Sequence, residues 1–294
     1  MEEIASSSMV KILVTGAKGQ LGSELRLLAP EFPTLHFVFT DVEELNIVDN
    51  DAVTRFVNDV NPDFIINCAA YTAVDKAESD KDAAFKLNAD APLYLAQSGH
   101  GVNAKLIHVS TDYVFNGLAC SPYAENAEPS PNSVYGESKL KGEQNALGIG
   151  NTMVVRTAWL YSEFGKNFVK TIASKSKETS SLRVVYDQVG SPTWANNLAQ
   201  MLVDIVLKGK KCFIPEIFHY TNEGVCSWFD LATEIANFYT HSCEIIPILS
   251  SEYPTAAKRP PYSVLNKSKI KDCHGITIPH WRESLSNCLK RVKL

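Results

Sequence analysis

The sequence predicts an α/β fold: a doubly wound parallel sheet with a smaller, irregular C-terminal domain. Three observations carry this. Short apolar, β-branched runs alternate with longer amphipathic ones through the first half. No two-residue hairpin signal joins consecutive runs, so the strands are expected to lie parallel. A glycine-rich turn then sits between the first run and the first amphipathic stretch.

The elements follow in order. VKILVT (10–15), HFVFT (36–40), DFIINCA (63–69), AKLIHVS (104–110) and TMVVRTAW (152–159) read as buried strands. Between them LGSELRLLA, DAVTRFVNDV, KDAAFKLNADAPLYLAQSG and SKLKGEQNAL read as helices. After about residue 160 the pattern loosens. A strand RVVYDQ (183–188) ends in GSPTW, and a helix runs from Ala195 to about Leu207. Ser227 is placed to cap the helix WFDLATEIANFY. EIIPIL (244–249), the Pro-rich EYPTAAKRPPYS and a last helix from Arg282 to about Val292 complete the chain. The expected division is a dinucleotide-binding domain over 9–160, joined by part of 190–215, and a substrate domain made mainly of 161–294.

Composition narrows the function. The chain has 294 residues, 45% hydrophobic and 21% charged, enough for a large core. Its net charge of −5 and the lack of a basic block disfavour nucleic acid as a partner. No apolar run approaches the ~20 residues of a membrane span. The leader MEEIASSS lacks an apolar signal core, so it does not read as a secretory peptide, and the folded part is expected to start near Met9. The seven cysteines form no CxxC, and the seven histidines form no HxH or HExxH. Free thiols in a reducing compartment, hence cytoplasm, and no bound metal are expected.

Chemistry gathers at three places. In ILVTGAKGQLGSEL, Gly16, Gly19 and Gly22 follow a strand and open a helix. Such a turn brings backbone N–H groups and a helix N-terminus to a pyrophosphate, the mark of a Rossmann-like dinucleotide site. Asp41, 19 residues past Gly22, can accept both hydroxyls of an adenosine ribose, or it is a simple turn residue. No arginine follows it, which favours NADH over NADPH, although Lys18 can reach a 2′-phosphate from the glycine loop. The stretch SVYGESKLKGE places Tyr135 and Lys139 on one helix face. An unperturbed phenol, with a pKa of ~10, holds its proton at neutral pH. A neighbouring ammonium lowers that value and makes the phenol a better acid. The plain alternative is a solvated helix face. Thr111, in VSTDYVF at the end of the fourth strand, can donate to a substrate carbonyl beside Tyr135, or it closes a turn.

These features together resemble the extended short-chain dehydrogenase/reductases and, within them, the dTDP-4-dehydrorhamnose reductase family. The resemblance runs from about Met9 to the C-terminus. It rests on VTGAKGQLGSEL, INCAAYTAVDKAES, STDYVFNG, VYGESKLKGE, RTAWLY, GKNFVKT, DQVGSPTW and KRPPYSVLN. It implies NAD(P)H-dependent reduction of the C4 ketone of dTDP-4-dehydro-L-rhamnose to dTDP-L-rhamnose. Tyr135 would be the proton donor, Thr111 would orient the carbonyl, and Lys139 would hold the nicotinamide ribose. The cofactor cleft would add Gln20, Leu21, Ala69, Ala70 and Tyr71. Trp159, Asn167, Phe168 and Arg259 would meet the dTDP-sugar, with a core tryptophan and a surface ion pair as plain alternatives for Trp159 and Arg259. The family often has aspartate where this chain has Asn46. Asn196 and Asn197 stand where some relatives carry metal-bridging carboxylates. The implied assembly is a monomer or homodimer. Two rival readings stay open: a related nucleotide-sugar epimerase or dehydratase, and a non-catalytic regulatory subunit of the methionine adenosyltransferase type.

Overall fold

The computed structural model describes residues 9–239 and 242–293. The leader 1–8 lies outside the described residues. In chain order the elements are β1 (Val10–Thr15), α1 (Gln20–Leu28), β2 (Leu35–Thr40), α2 (Asn50–Val60), β3 (Phe64–Asn67), α3 (Val74–Ala77), α4 (Lys81–Phe85), α5 (Ala91–Gly101), β4 (Lys105–Thr111), α6 (Val134–Leu147), β5 (Thr152–Thr157) and β6 (Leu160–Tyr161). Then come α7 (Phe168–Glu178), β7 (Ser181–Val185), β8 (Val189–Gly190), β9 (Thr193–Trp194), α8 (Ala195–Leu207), β10 (Ile217–His219), β11 (Cys226–Ser227), α9 (Trp228–Tyr239), β12 (Glu244–Ile248), α10 (Ser268–His274) and α11 (Trp281–Leu289).

One six-stranded sheet dominates, in the order β10-β5-β4-β3-β1-β2, and every pair in it is parallel. Its central strands are apolar on both sides because helices cover both faces. On one face Ile12, Val14, Ile66, Ile107 and Val155 pack with Leu21 and Leu25 of α1 and with Leu198 and Leu202 of α8. On the other, Leu13, Ile65 and Leu106 pack with Val53 and Val57 of α2 and Leu95 of α5. The strand order reverses between β1 and β3, and the C-terminal strand ends there form the crevice in which such folds bind ligands.

The long helix expected over 81–99 is broken. Lys86–Asp90 forms a π-helical turn between α4 and α5. Pro92 explains the break: it has no N–H to give to the Asn88 carbonyl and its ring crowds that oxygen. The freed carbonyl lies against α6 at Gly142, where a Cβ would sit 1.9 Å from it.

The second half uses small pieces. β7 pairs with β12, β8 with β11 and β6 with β9, each as a separate two-stranded sheet. A second core joins Val169, Ile172 and Ala173 of α7 to Leu231 and Ile235 of α9 and Trp281 and Leu285 of α11. Ser227 caps α9 as expected: its Oγ accepts from Asp230 N at 3.1 Å while the Asp230 carboxylate accepts from Ser227 N at 2.8 Å. Two elements of this stretch return to the large sheet: α8 lies on it and β10 extends it beside β5. Among the described residues no helix is long and apolar enough to cross a membrane, and no cluster of three or more His, Cys, Asp or Glu is arranged to hold a metal ion.

Candidate active site

The crevice begins at the glycine turn. Gly16 follows β1 with φ +67°, and a Cβ there would sit 2.7 Å from Ala69 N. Only glycine lets the turn lie against the end of β3 in this conformation. A Cβ on Gly22 would sit 2.4 Å from Gly16 O, so Gly22 keeps the first turn of α1 folded onto the loop itself. Gly19 stands at the N-cap without a side-chain cap, so the first N–H groups of α1 are left for a ligand. This cradle of backbone donors fits the diphosphate of a dinucleotide. Leu21 is buried below it, and Gln20 Oε1 accepts from Asn167 Nδ2 at 2.9 Å.

Asp41, just past β2, is drawn toward the loop. Its carboxylate accepts from Lys18 N at 2.9 Å and from Val42 N at 2.9 Å. Lys18 Nζ pairs with Glu43 at 2.6 Å on the exposed rim. Past β3, Ala69 N donates to Asn67 Oδ1 at 3.1 Å. Tyr71 follows Ala70 and is held by Asn88, whose Oδ1 accepts from Tyr71 N at 2.8 Å. The Asn88 amide also donates to Tyr71 O and to Ser138 Oγ, tying this loop to α6. The π-helical turn is what presents Asn88.

Thr111 and Tyr135 meet at the end of β4. Thr111 is buried, and its Oγ1 donates to Asp112 Oδ1 at 3.0 Å and accepts from Tyr113 N at 3.2 Å. The Tyr135 phenol lies beside it, near enough for the Thr111 hydroxyl to favour the phenolate. Tyr135 opens α6, which Ser133 caps through a bond from Gly136 N. Its ring meets Tyr113 edge-on at 5.4 Å. Burial pushes the phenol up from its ordinary value; Thr111 opposes this, while Asp112 and Tyr113 add to it. The lowering expected from Lys139 is absent. Lys139 is fully buried one turn along α6, and its Nζ donates to Val109 O at 2.7 Å and lies 3.3 Å from His108 Nε2. Burial brings Lys139 down to about 8.

The second half lies over this end through loops. Trp159 has a left-handed backbone, φ +51°, and its indole stacks on Trp228 at 3.6 Å. Phe168 packs on Trp228 at 4.6 Å, making a three-ring cluster. Asn167 caps α7 through a bond from Lys170 N, and its amide donates to Ser162 O and to Gln20. Arg259 bonds Asp75 at 2.7 Å and the Tyr113 hydroxyl at 3.1 Å, which brings its segment beside Tyr135. Asn46 stays exposed and accepts from Val48 N.

Sequence reasoning missed four partners. Asp112 stands next to Thr111 in STDYVF, yet nothing in the chain announces that it is buried, with burial raising its carboxyl to about 6. Trp228, in sequence, reads only as the start of a helix. Glu24, fully buried in α1, meets Ser162 Oγ at 2.6 Å and Asn196 Nδ2 at 3.1 Å, with the Glu163 carboxyl close enough to influence its charge. Burial, then Glu163, raise Glu24 to about 7. Burial also disfavours the Glu163 carboxylate, but bonds from Glu24 and Trp194, with Arg291, leave it below its ordinary value.

Known proteins share this architecture over nearly the whole chain. The family model of the RmlD substrate binding domain matches residues 10–294. A protein of Aggregatibacter actinomycetemcomitans named dTDP-4-dehydrorhamnose reductase is 36% identical, covering 95% of this chain and 98% of its own. The crystal structure of a dTDP-4-dehydrorhamnose reductase from Clostridium acetobutylicum superposes with a TM-score of 0.92, at 40% identity over 97% of this chain and 100% of that one. The reductase of Bacillus anthracis, solved in complex with NADP, gives a TM-score of 0.90 at 36% identity over 96% and 99%.

Proposed function

The chain belongs to the RmlD substrate-binding-domain family of dTDP-4-dehydrorhamnose reductases, and from that premise we propose that it is an NAD(P)H-dependent oxidoreductase. Its reaction is reduction of the C4 ketone of dTDP-4-dehydro-L-rhamnose to dTDP-L-rhamnose. The observation that supports this most is the facing pair of hydroxyls, Thr111 on β4 and Tyr135 on α6, at the crevice end of the sheet that also carries the glycine cradle.

The turn from Gly16 to Gly22, with Gly19, Gln20 and Leu21, would hold the dinucleotide's diphosphate. Asp41 would take the adenosine ribose, Ala69 to Tyr71 would wall the cleft, and Lys139 would hold the nicotinamide ribose. When bound, the reduced nicotinamide supplies the hydride that C4 gains. Tyr135 gives its proton to the C4 oxygen. The raised phenol keeps that proton at neutral pH, and the developing alkoxide is a far stronger base than a phenolate, so transfer runs downhill. Thr111 turns its hydroxyl from Asp112 to the same oxygen and fixes the carbonyl's direction. Trp159 and Phe168, steadied by Trp228, offer an apolar wall to the sugar, and Asn167 holds the loop under it. Arg259 meets the diphosphate by exchanging Asp75 for phosphate oxygens.

The test follows NADPH or NADH absorbance with dTDP-4-dehydro-L-rhamnose, with the product identified. One cofactor oxidised per sugar reduced is expected. No turnover with either cofactor overturns the reading, as does cofactor that co-purifies and is never consumed.

A further inference from the structure

A row of polar side chains crosses the sheet beneath α6. Thr15, Asn67 and His108 are neighbours in register on β1, β3 and β4, and all three are fully buried. Thr15 Oγ1 donates to Asn67 Oδ1 at 2.8 Å, and Ala69 N donates to the same oxygen at 3.1 Å. A backbone N–H can only donate, so the oxygen of Asn67 is fixed on that side and its amide nitrogen on the other. That nitrogen lies 3.1 Å from His108 Nδ1. An amide nitrogen also only donates, so Nδ1 must be the bare, accepting nitrogen. Burial, with Lys139 adding to it, holds His108 well below its ordinary value, so the ring is neutral. Its single proton is on Nε2, which faces Lys139 Nζ at 3.3 Å. A neutral amine can accept that N–H; an ammonium cannot.

We propose that His108 is a positioning residue acting through Lys139: oriented by Asn67 and the Ala69 N–H, its Nε2–H weakens the hold of Lys139 on its third proton. Lys139, one helical turn along α6 from Tyr135, can then release or take up a proton during a reduction cycle. This rests on the reductase reading. The surroundings agree with it. Val109 O accepts from Nζ in either protonation state. Glu143, four residues along α6, favours the ammonium. Its carboxylate, however, is clamped by Arg156 at 2.6 Å and by Ser110 Oγ at 2.5 Å. Tyr135, four residues before Lys139, stays neutral. Burial and His108 therefore face one engaged carboxylate.

Two variants reverse the donor that faces Nζ. His108→Gln can turn a carbonyl oxygen to the ammonium. In Asn67→Asp the carboxylate accepts from Nδ1–H, which leaves Nε2 bare, and its own charge also favours the ammonium, so His108→Gln carries the decision. The ligand-free protein, labelled with 13Cε-lysine and with the Lys139 resonance assigned through Lys139→Arg, is titrated by NMR. The wild type is expected to titrate near 8, and both variants about one pH unit higher, which is ~tenfold in proton affinity. The alkaline limb of kcat/KM should move the same way. An unmoved midpoint in His108→Gln overturns the proposal, even where its Tm falls and whatever Asn67→Asp shows, because a histidine with a packing role alone would lower Tm without moving the midpoint. Absence of sugar turnover would sink the reductase reading and leave the NMR titration to decide this one.

Discussion

The two halves hold their functional residues by different means. In the first, β1 to β5 and the helices between them place Gly16, Thr111 and Tyr135 by regular geometry: strand ends, a helix start, a turn that only glycine allows. In the second, Trp159, Asn167, Phe168 and Arg259 sit in or beside loops and are held by Trp228 and by Gln20 and Asp75 of the first half. A parallel sheet can fix a reacting centre before any ligand arrives. Loops that rest on rings and single hydrogen bonds can change with a ligand that they fit. On the proposed function the difference would separate chemistry from recognition, and changes in the two halves should separate in the same way.

The largest effect belongs to Tyr135→Phe. Turnover should fall about 10²–10⁴-fold while cofactor affinity stays within a factor of about two. Steady-state kinetics and a fluorescence titration with NADPH check this, and a near-normal kcat would remove the phenol from the chemistry. Next is Gly22→Val, which forces a side chain into backbone 2.4 Å away. Cofactor Kd should rise about 10–100-fold, from a misfit of about 1–3 kcal/mol. Unchanged Kd would mean that the turn does not form the diphosphate site.

The seam between the halves gives the third prediction. Unfolded Glu24 ionises at its ordinary value, near 4.5, and folded Glu24 keeps its proton to about 7. Its folded value is raised, so its contribution is complete below about 4.5 and is lost as pH rises toward about 7. Glu24→Gln removes that loss. By urea unfolding, the variant should gain about 2–3 kcal/mol on the wild type between pH 4.5 and 7.5. A difference that stays flat with pH would show that burial does not hold the proton on Glu24. The smallest effect is Trp228→Ala. Loss of its stack with Trp159 should raise KM for the sugar about tenfold, an effect of about 1.4 kcal/mol, and leave cofactor Kd unchanged. Equal loss of both affinities would break the division between the halves.

What could be read from the chain follows the same division. Strand and helix periods, the spacing of Gly16, Gly19 and Gly22, and the four-residue step from Tyr135 to Lys139 are local, so they are legible in a single sequence. The π-helical turn needs Pro92, Asn88 and Gly142 read together, and the last of these lies on another helix. The strand pairs β6 with β9 and β8 with β11 are two residues long and too short to carry a period. Asp112, His108 and Glu24 owe their character to burial, a tertiary property absent from residue type. For the same reason the phenol of Tyr135 is raised where the nearby lysine alone would lower it: the sequence supplies the cation but not the depth.

The most direct test is a crystal structure with oxidised cofactor and dTDP-L-rhamnose bound. The account predicts the C4 oxygen within about 2.6–3.2 Å of both the Tyr135 hydroxyl and Thr111 Oγ1, with Lys139 on the nicotinamide ribose. A sugar whose C4 oxygen reaches neither hydroxyl would contradict it.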